Sequence, residues 1–408
     1  MALPPLPNLR ANDVLFLTPS DPQYASYLAA ANARTQLSPA LRAVCKTEHA
    51  VAVMTDWVRS NNLSFAVRCG GHSYEGFSQS TDIVIDLRGL QDITVDTSAG
   101  LVTAGAGVSL YDIYQELANV GYAFAAGSCP TVGISGHSLG GGFGLLARLH
   151  GLTCDNLQQV TLVDAQATTL DATATSEPDL FWACRGGGGG SFGIATRFVL
   201  RIFPLRDVLV FGVSWRLSQP KAARVFSAWQ NWAPNAPRTI TSIMKLGPTA
   251  GSAISMRCIG QSVGSLSELR NELSALVSVE PPSNPLNVQT LSFLDAINHF
   301  SGGLNYESVY MKAKSDYVLS PLSLSAIAAL LAAVAQVPVG GIAVLCDAYG
   351  GAISMWRLPI PLFPGAAGHN TAFNISQVGR IRRRAPRTSQ TLRMSMLPCA
   401  LTCPERPT

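Results

Sequence analysis

Residues Gly127 to Gly144 read GSCPTVGISGHSLGGGFG, and seven of these 18 positions are glycine. Glycine gives up more backbone entropy on folding than any other residue, so this density makes sense only where the chain must come close to something. A ligand is the simplest such object. Two side chains with chemistry stand inside the stretch, Cys129 and His137. Taken alone, Cys129 reads as a small buried hydrophobe.

Two further glycine clusters flank it. Upstream, the apolar run SFAV leads into Arg68-Cys69-Gly70-Gly71-His72-Ser73-Tyr74. Consecutive glycines after a strand permit positive-φ turns whose amides converge on an anion such as a pyrophosphate, while His72 alone reads equally as a loop histidine bonded to backbone. Downstream, Cys184-Arg185 precedes Gly186 to Gly190 and then Ser191-Phe192-Gly193-Ile194. Gly188, Gly190 and Gly193 satisfy GxGxxG, but a run this rich in glycine matches many templates. A dinucleotide-binding βαβ unit needs an acidic residue about 20 positions on, where Val213 stands, so that reading is rejected. Gly136-His137-Ser138-Leu139-Gly140 matches the nucleophile elbow G-x-S-x-G, with Asp347 and His369 following in triad order. The glycines after it make a poor helix start, which disfavours a serine hydrolase acting through Ser138.

Composition sets the frame. The chain has 408 residues, 47% hydrophobic and 13% charged, with a formal net charge of +4. That length favours two domains, and the low charge argues against disorder. Much of the positive excess sits near the end of the sequence, and no basic patch is interleaved with aromatics along the body, so nucleic acid is not an expected partner. The opening MALPPLPNLRANDVLF lacks a secretory pattern, and the most apolar segment, Ser325 to Val339, is only about one helix long. A cytoplasmic protein without a membrane span is expected, with secretion left open. The nine cysteines show no CxxC pairs or zinc-type spacing, so neither a disulfide framework nor a metal site is expected.

Periodicity predicts a mixed α+β architecture. Strand-like runs such as DIVIDLRG and TRFVLRIFP alternate with the helix-like SLYDIYQELANVG up to Pro204. Beyond it, VLVFGVSWRL, ISMRCIG and AVLCDAYGGAISM read as strands, PKAARVFSAWQNWAPNAP as a helix stopped by proline, and SLSELRNELSAL as a helix with a Ser/Glu cap. The expected division is a first domain over 1–205, a second over 206–377 with an antiparallel sheet backed by helices, and an Arg/Pro-rich tail over 378–408.

Order and spacing of RCGGHSY, GSCPTVGISGHSLGGGFG, Ala147-Arg148-Leu149-His150-Gly151-Leu152-Thr153 with Asp155-Asn156, and DLFWACRGGGGGSFGI together resemble the berberine bridge enzyme-like family of the vanillyl alcohol oxidase and p-cresol methylhydroxylase (PCMH) superfamily. The likeness runs from about residue 40 to about residue 350 and takes in Lys314 to Tyr317 and Tyr349 to Gly351.

The resemblance implies a PCMH-type FAD-binding domain followed by an α+β substrate domain. It implies FAD held by two covalent bonds, from His72 to the 8α-methyl carbon and from Cys129 to C6 of the isoalloxazine. Gly70, Gly71 and Ser73 beside Arg68 would wrap the pyrophosphate; Gly133, Gly136 and the stretch from Gly187 through Gly193 to Ile194 would line the dinucleotide, and His137 would lie below the ring. Val132 matches the position that gates oxygen, where valine is permissive, so dioxygen is the expected acceptor and hydrogen peroxide the product; an oxygen-insensitive dehydrogenase is the alternative. Sugar-oxidising members carry a Tyr two residues after the linked His and an Asp in the second domain, which point to Tyr74 and Asp347 and to an alcohol or carbohydrate substrate. Read from the residues alone, the alternative for Tyr74 is a packed aromatic, and Asp347 reads equally as a strand-end carboxylate. The Arg/Pro-rich segment after about Gln377 departs from the family pattern, which leads to an expectation of lowered stability and weak turnover.

Overall fold

A computed structural model describes residues 3–301, 308–341, 343–355 and 371–378. The Arg/Pro-rich stretch, and the expectation attached to it, lie outside the described residues, as does His369.

A four-stranded sheet runs in the order Val14–Leu17, Leu41–Cys45, Ile83–Asp86 and Phe65–Arg68. Its last three strands are parallel, with Leu41 and Phe65 both in register with Ile83. Parallel strands are covered on both faces, which is why LRAVC and IVID do not alternate and are buried throughout, their two charged members, Arg42 and Asp86, meeting in a buried ion pair at 2.7 Å. The crossover helix Glu48–Ser60 starts on Thr47, whose Oγ1 accepts from the Ala50 amide at 3.2 Å. Strand Phe65–Arg68 ends directly in Cys69-Gly70-Gly71-His72, so that loop leaves the carboxyl end of a parallel strand, where open α/β sheets hold ligands.

Five antiparallel strands form a second sheet, ordered Ile93–Asp96, Leu101–Gly105, Ile194–Arg201, Leu157–Val163 and Thr169–Thr173. Helix Leu110–Val120 begins in a reciprocal capping box between Ser109 and Asp112 and stops at Gly121, whose φ of +75° suits glycine. One apolar core joins the two sheets, from Leu41, Ile83 and Ile85 to Val102, Val160 and Phe198; it also takes in Val208, Val210, Phe293 and Ile297 from later in the chain.

The third sheet has seven strands, in the order Asn284–Ser292, Asp207–Leu217, Gly251–Ser262, Ile240–Thr249, Ala343–Ala348, Thr371–Val378 and Met311–Val318. All the pairings are antiparallel. Alternate residues, among them Trp215, Met244, Met256 and Cys346, are buried under helices Gln219–Trp232, Leu266–Val277 and Leu324–Ala335. The two helix-like stretches in this half of the sequence thus become the first two of these helices, and the apolar segment that begins at Ser325 falls in the third. The opposite face carries Ile243, Lys245, Arg257 and Asp347. No helix among the described residues is long and apolar enough to cross a membrane.

One fully buried side chain ties the first half of the chain to the third sheet. Arg148, in the short helix Ala147–His150, donates from Nε to the Ile240 carbonyl at 2.8 Å and from Nη1 to the Pro234 and Tyr349 carbonyls at 3.0 and 2.5 Å. Its Nη2 reaches the Ala236 carbonyl at 2.5 Å. The acceptors are neutral, and burial lowers the guanidinium pKa to about 10, which still leaves it charged at neutral pH. Replacing Arg148 by Met keeps much of the volume but strands four carbonyls. At about 1–3 kcal/mol for each buried group left unmet, the loss should exceed about 3 kcal/mol. Urea unfolding is the check, and a midpoint within error of the parent would show that the four bonds hold little.

Candidate active site

The three glycine clusters meet. A cavity of about 590 Å³ is walled by Gly70, Gly71, His72 and Ser73 from the first, by Val132, Gly133, Gly136 and His137 from the second, and by Gly189, Gly190, Gly193 and Ile194 from the third. The first two are in backbone contact. A Cβ on Gly70 would sit 2.5 Å from the Gly133 nitrogen, and one on Gly133 would sit 1.9 Å from Cys69 Sγ, so no side chain fits at either. Gly193, at φ +143°, would drive a side chain into Leu162 and the Val163 carbonyl.

His72 faces this cavity, and its Nε2 lies 2.9 Å from Thr131 Oγ1, two residues beyond Cys129. Burial, seconded by the Arg68 charge, lowers the His72 pKa to about 4, so the imidazole is neutral and keeps a nucleophilic nitrogen. His137 is likewise lowered to about 4 by burial; its Nε2 accepts the Gly127 amide at 3.0 Å, which holds the ring against the loop carrying Cys129. Tyr114 Oη donates to the Gly127 carbonyl at 3.0 Å and backs the same loop.

Cys129 is solvent-exposed and does not line the cavity; the Val132 amide bonds its carbonyl at 3.3 Å, joining it to the cavity wall. Surrounding structure raises its thiol pKa, and the charge of Lys245 opposes the shift. Tyr74 is 41% exposed, and its pKa is raised by burial and then by the charge of Cys129, which places the two as neighbours. Asp347 is pushed up to about 6 by burial, against the pull of Lys245. Cys129, Tyr74, Lys245 and Asp347 therefore make one electrostatically linked group. Tyr349, two residues after Asp347, is stacked on Phe143 with ring centres 5.0 Å apart and edge-on to Tyr317 at 5.8 Å.

Two cofactor-site expectations shift in detail. Gly187 does not line the cavity: it is held against the Ala183 carbonyl, and Gly189 and Gly190 line the wall in its place. Arg68 lies beneath the first loop, donating to the Ala29 carbonyl with its guanidinium against Gly71. Lys245 went unread in the sequence, because only strand register brings it to the diagonal of Asp347, which pairs with Ile243. The hydrolase alternative fails on geometry. Ser138 sits inside helix Ile134–Leu139, fully buried, and among the described residues its hydroxyl has no hydrogen-bond partner. A nucleophile elbow needs that hydroxyl exposed on a strand-to-helix turn and bonded to a base. The third cluster follows helix Pro178–Ala183 and leads into an antiparallel strand, so the rejection of a βαβ dinucleotide motif holds.

A diphosphate joined to two flat rings suits a long cavity with glycine on its walls and apolar Phe65, Val67 and Leu87 along part of its lining. The FAD binding domain family matches residues 39–173. An uncharacterised FAD-linked oxidoreductase of Bacillus subtilis, YgaK, is 33% identical over 82% of this chain and 74% of its own length. The chain belongs to the berberine bridge enzyme-like family of FAD-linked oxidoreductases. A Nicotiana tabacum member, berberine bridge enzyme-like D-1, is 32% identical over 76% of this chain, which spans about three-fifths (59%) of that relative. The solved structure of Physcomitrella patens BBE-like 1 superposes with a TM-score of 0.83 at 26% identity, covering 91% of this chain and 82% of that one. Berberine bridge enzyme from Eschscholzia californica shares the fold, with a TM-score of 0.81 at 24% identity over 90% and 77%. The fold is thus the α+β PCMH type, and the protein is an FAD-linked oxidoreductase.

The raised pKa of Asp347 has a stability consequence. The folded value of about 6 lies above the unfolded 3.8, so the native state holds the proton more tightly, and stability falls as pH rises from about 4 through about 6. Asp347→Asn should remove that slope and raise the melting temperature at pH 8 more than at pH 4. Equal shifts at both pH values would mean that the carboxylate is not strained by burial.

Proposed function

We propose that the protein is an oxidase of an alcohol or sugar hemiacetal, with FAD bound covalently through His72 and Cys129 and with dioxygen as acceptor. The observation that carries the reading is the neutral His72 on the cavity wall, bonded to Thr131 two residues from Cys129. FAD bound there would supply the acceptor for a hydride from the substrate carbon, with dioxygen, reduced to hydrogen peroxide, restoring its oxidised form. Asp347, with a pKa near 6, is the group suited to accept the substrate hydroxyl proton near neutral pH. Tyr74 and Lys245, both neighbours of Cys129, would orient that oxygen. Neutral His137 would form the floor under the ring, and Gly70, Gly71, Ser73, Gly133, Gly136, Gly189 and Gly193 would carry the diphosphate and its sugars. Dioxygen would approach past Val132, whose small side chain lines the cavity. The dehydrogenase reading has one support: a variant of berberine bridge enzyme is described as a reticuline dehydrogenase.

Because each tether would attach independently, His72→Ala or Cys129→Ala should each keep flavin on the acid-denatured chain, and only the double change should release it. Intact mass reads the outcome directly. Loss of all covalent flavin in either single variant would refute two tethers, and a parent of apoprotein mass would refute the covalent model altogether.

Val132→Ile adds a methylene beside the cavity and should slow reoxidation by oxygen while leaving reduction by substrate nearly unchanged. Stopped-flow measurement of the two half-reactions separates them. Equal slowing of both would reduce Val132 to packing.

A further inference from the structure

The segment from Ala29 to Arg34 runs between the loop that carries His72 and the third sheet, and it bonds the two in turn. The Ala29 carbonyl accepts from Arg68 at the root of that loop, and the Ala30 carbonyl accepts from Ser308 Oγ at 2.6 Å. The Ala31 amide donates to the Gly71 carbonyl at 3.2 Å, while the Ala31 carbonyl and the Ala33 amide bond Val309, each at 3.0 Å. Asn32 bonds both sides at once. Its side chain is fully buried, and Nδ2 donates to the Tyr74 carbonyl at 2.6 Å and to the carbonyl of Met311, the first residue of strand Met311–Val318, at 3.0 Å. Its Oδ1 accepts from the amides of Arg34 and Met311 at 3.1 and 3.3 Å. Exposed Arg34 adds a bond from Nη2 to the same Tyr74 carbonyl at 3.3 Å and an ion pair with Glu75 at 2.8 Å. His72 therefore stands between two held carbonyls, those of Gly71 and Tyr74. With Gly70, Gly71 and Gly76 around it, the loop has little stiffness of its own.

Resting on the reading of FAD tethered through His72 and Cys129, we propose that Asn32 is a positioning residue for the His72 bond: it fastens the loop to the third sheet and so sets where the imidazole meets the flavin. Joining His72 to the 8α-methyl carbon replaces one methyl C–H and the imidazole N–H by a C–N bond. The two protons and two electrons released pass to dioxygen, giving hydrogen peroxide. The bonds of Asn32 all go to protein backbone, so its part is placement. A misplacement of about 1 Å at a reacting atom costs up to about 100-fold in rate, so loss of the brace acts first on this step. The Cys129 loop has a separate support, because His137 and Tyr114 hold it through the amide and carbonyl of Gly127. Removing Asn32 therefore separates the two tethers.

The test follows covalent flavin on the full chain by intact mass, with time in excess FAD, in two backgrounds that each leave one tether. In Cys129→Ala, adding Asn32→Ala should slow attachment through His72 about tenfold or more, whereas in His72→Ala it should change attachment through Cys129 about twofold or less. Arg34→Gln removes one of the bonds to the Tyr74 carbonyl and should slow the His72 step by a smaller factor, with the Cys129 step unmoved. Arg34 is exposed, so this variant should melt like the parent, and its effect on the His72 step decides the matter if Asn32→Ala does not fold. Equal slowing of both tethers in folded Asn32→Ala would make Asn32 a general structural residue and overturn the proposal. If the Cys129→Ala chain takes up no covalent flavin at all, the His72 tether is wrong and the proposal falls with it. If that chain takes up flavin at one rate with and without Asn32, the tether stands and the role of Asn32 alone falls.

Discussion

The backbone of Gly70 lies against that of Gly133 with no room for a side chain at either, and the rest of the site is arranged around that contact. Any Cβ at Gly133 would collide with Cys69 Sγ, and any at Gly70 with the Gly133 amide. Closure of the two loops puts His72 against Thr131 and so beside the segment that carries Cys129. Glycine-rich loops lose much entropy on ordering, and they bury little apolar surface of their own. Their order must come from what lies behind them. Here that is the apolar core under the first two sheets, with Ile134 and Leu139 of the second cluster rooted in it.

Arg148 does for the two halves of the chain what this contact does for the two loops. Four carbonyls from the third-sheet half converge on one guanidinium, and that of Tyr349 is two residues from Asp347. The short helix holding Arg148 comes directly after the second glycine cluster. The position of the carboxylate relative to the cavity is therefore set by a rigid side chain with a planar fork of donors, which a flexible ammonium would not reproduce. Phe143, from the end of the same cluster, stacks on Tyr349 and adds a second, apolar fastening between the same segments.

What could be read in the sequence was local. Ser265 accepts the expected N-cap bond from the Glu268 amide, and the apolar segment of about one helix's length becomes a single helix, because caps and periodicity depend on neighbours within a turn. The three glycine clusters announced a close approach, and they converge. What escaped notice was set by strand register and by which face of a loop looks inward. Gly187 and Gly189 are equivalent in the sequence, yet one is held against a helix carbonyl and the other lines the cavity. Ser138 matched a nucleophile pattern that says nothing about burial. Lys245 and Arg257 are 12 residues apart on separate strands, and no local signal reveals that they face each other.

That pairing bears on the chemistry at Asp347. Two opposed effects set its pKa near 6: burial raises it, and Lys245 lowers it. Lys245 is in turn held down by burial and by Arg257. Register alone therefore sets the surroundings of the carboxylate: the strand that pairs with it brings Lys245 to its diagonal, and the next strand sets Arg257 against Lys245.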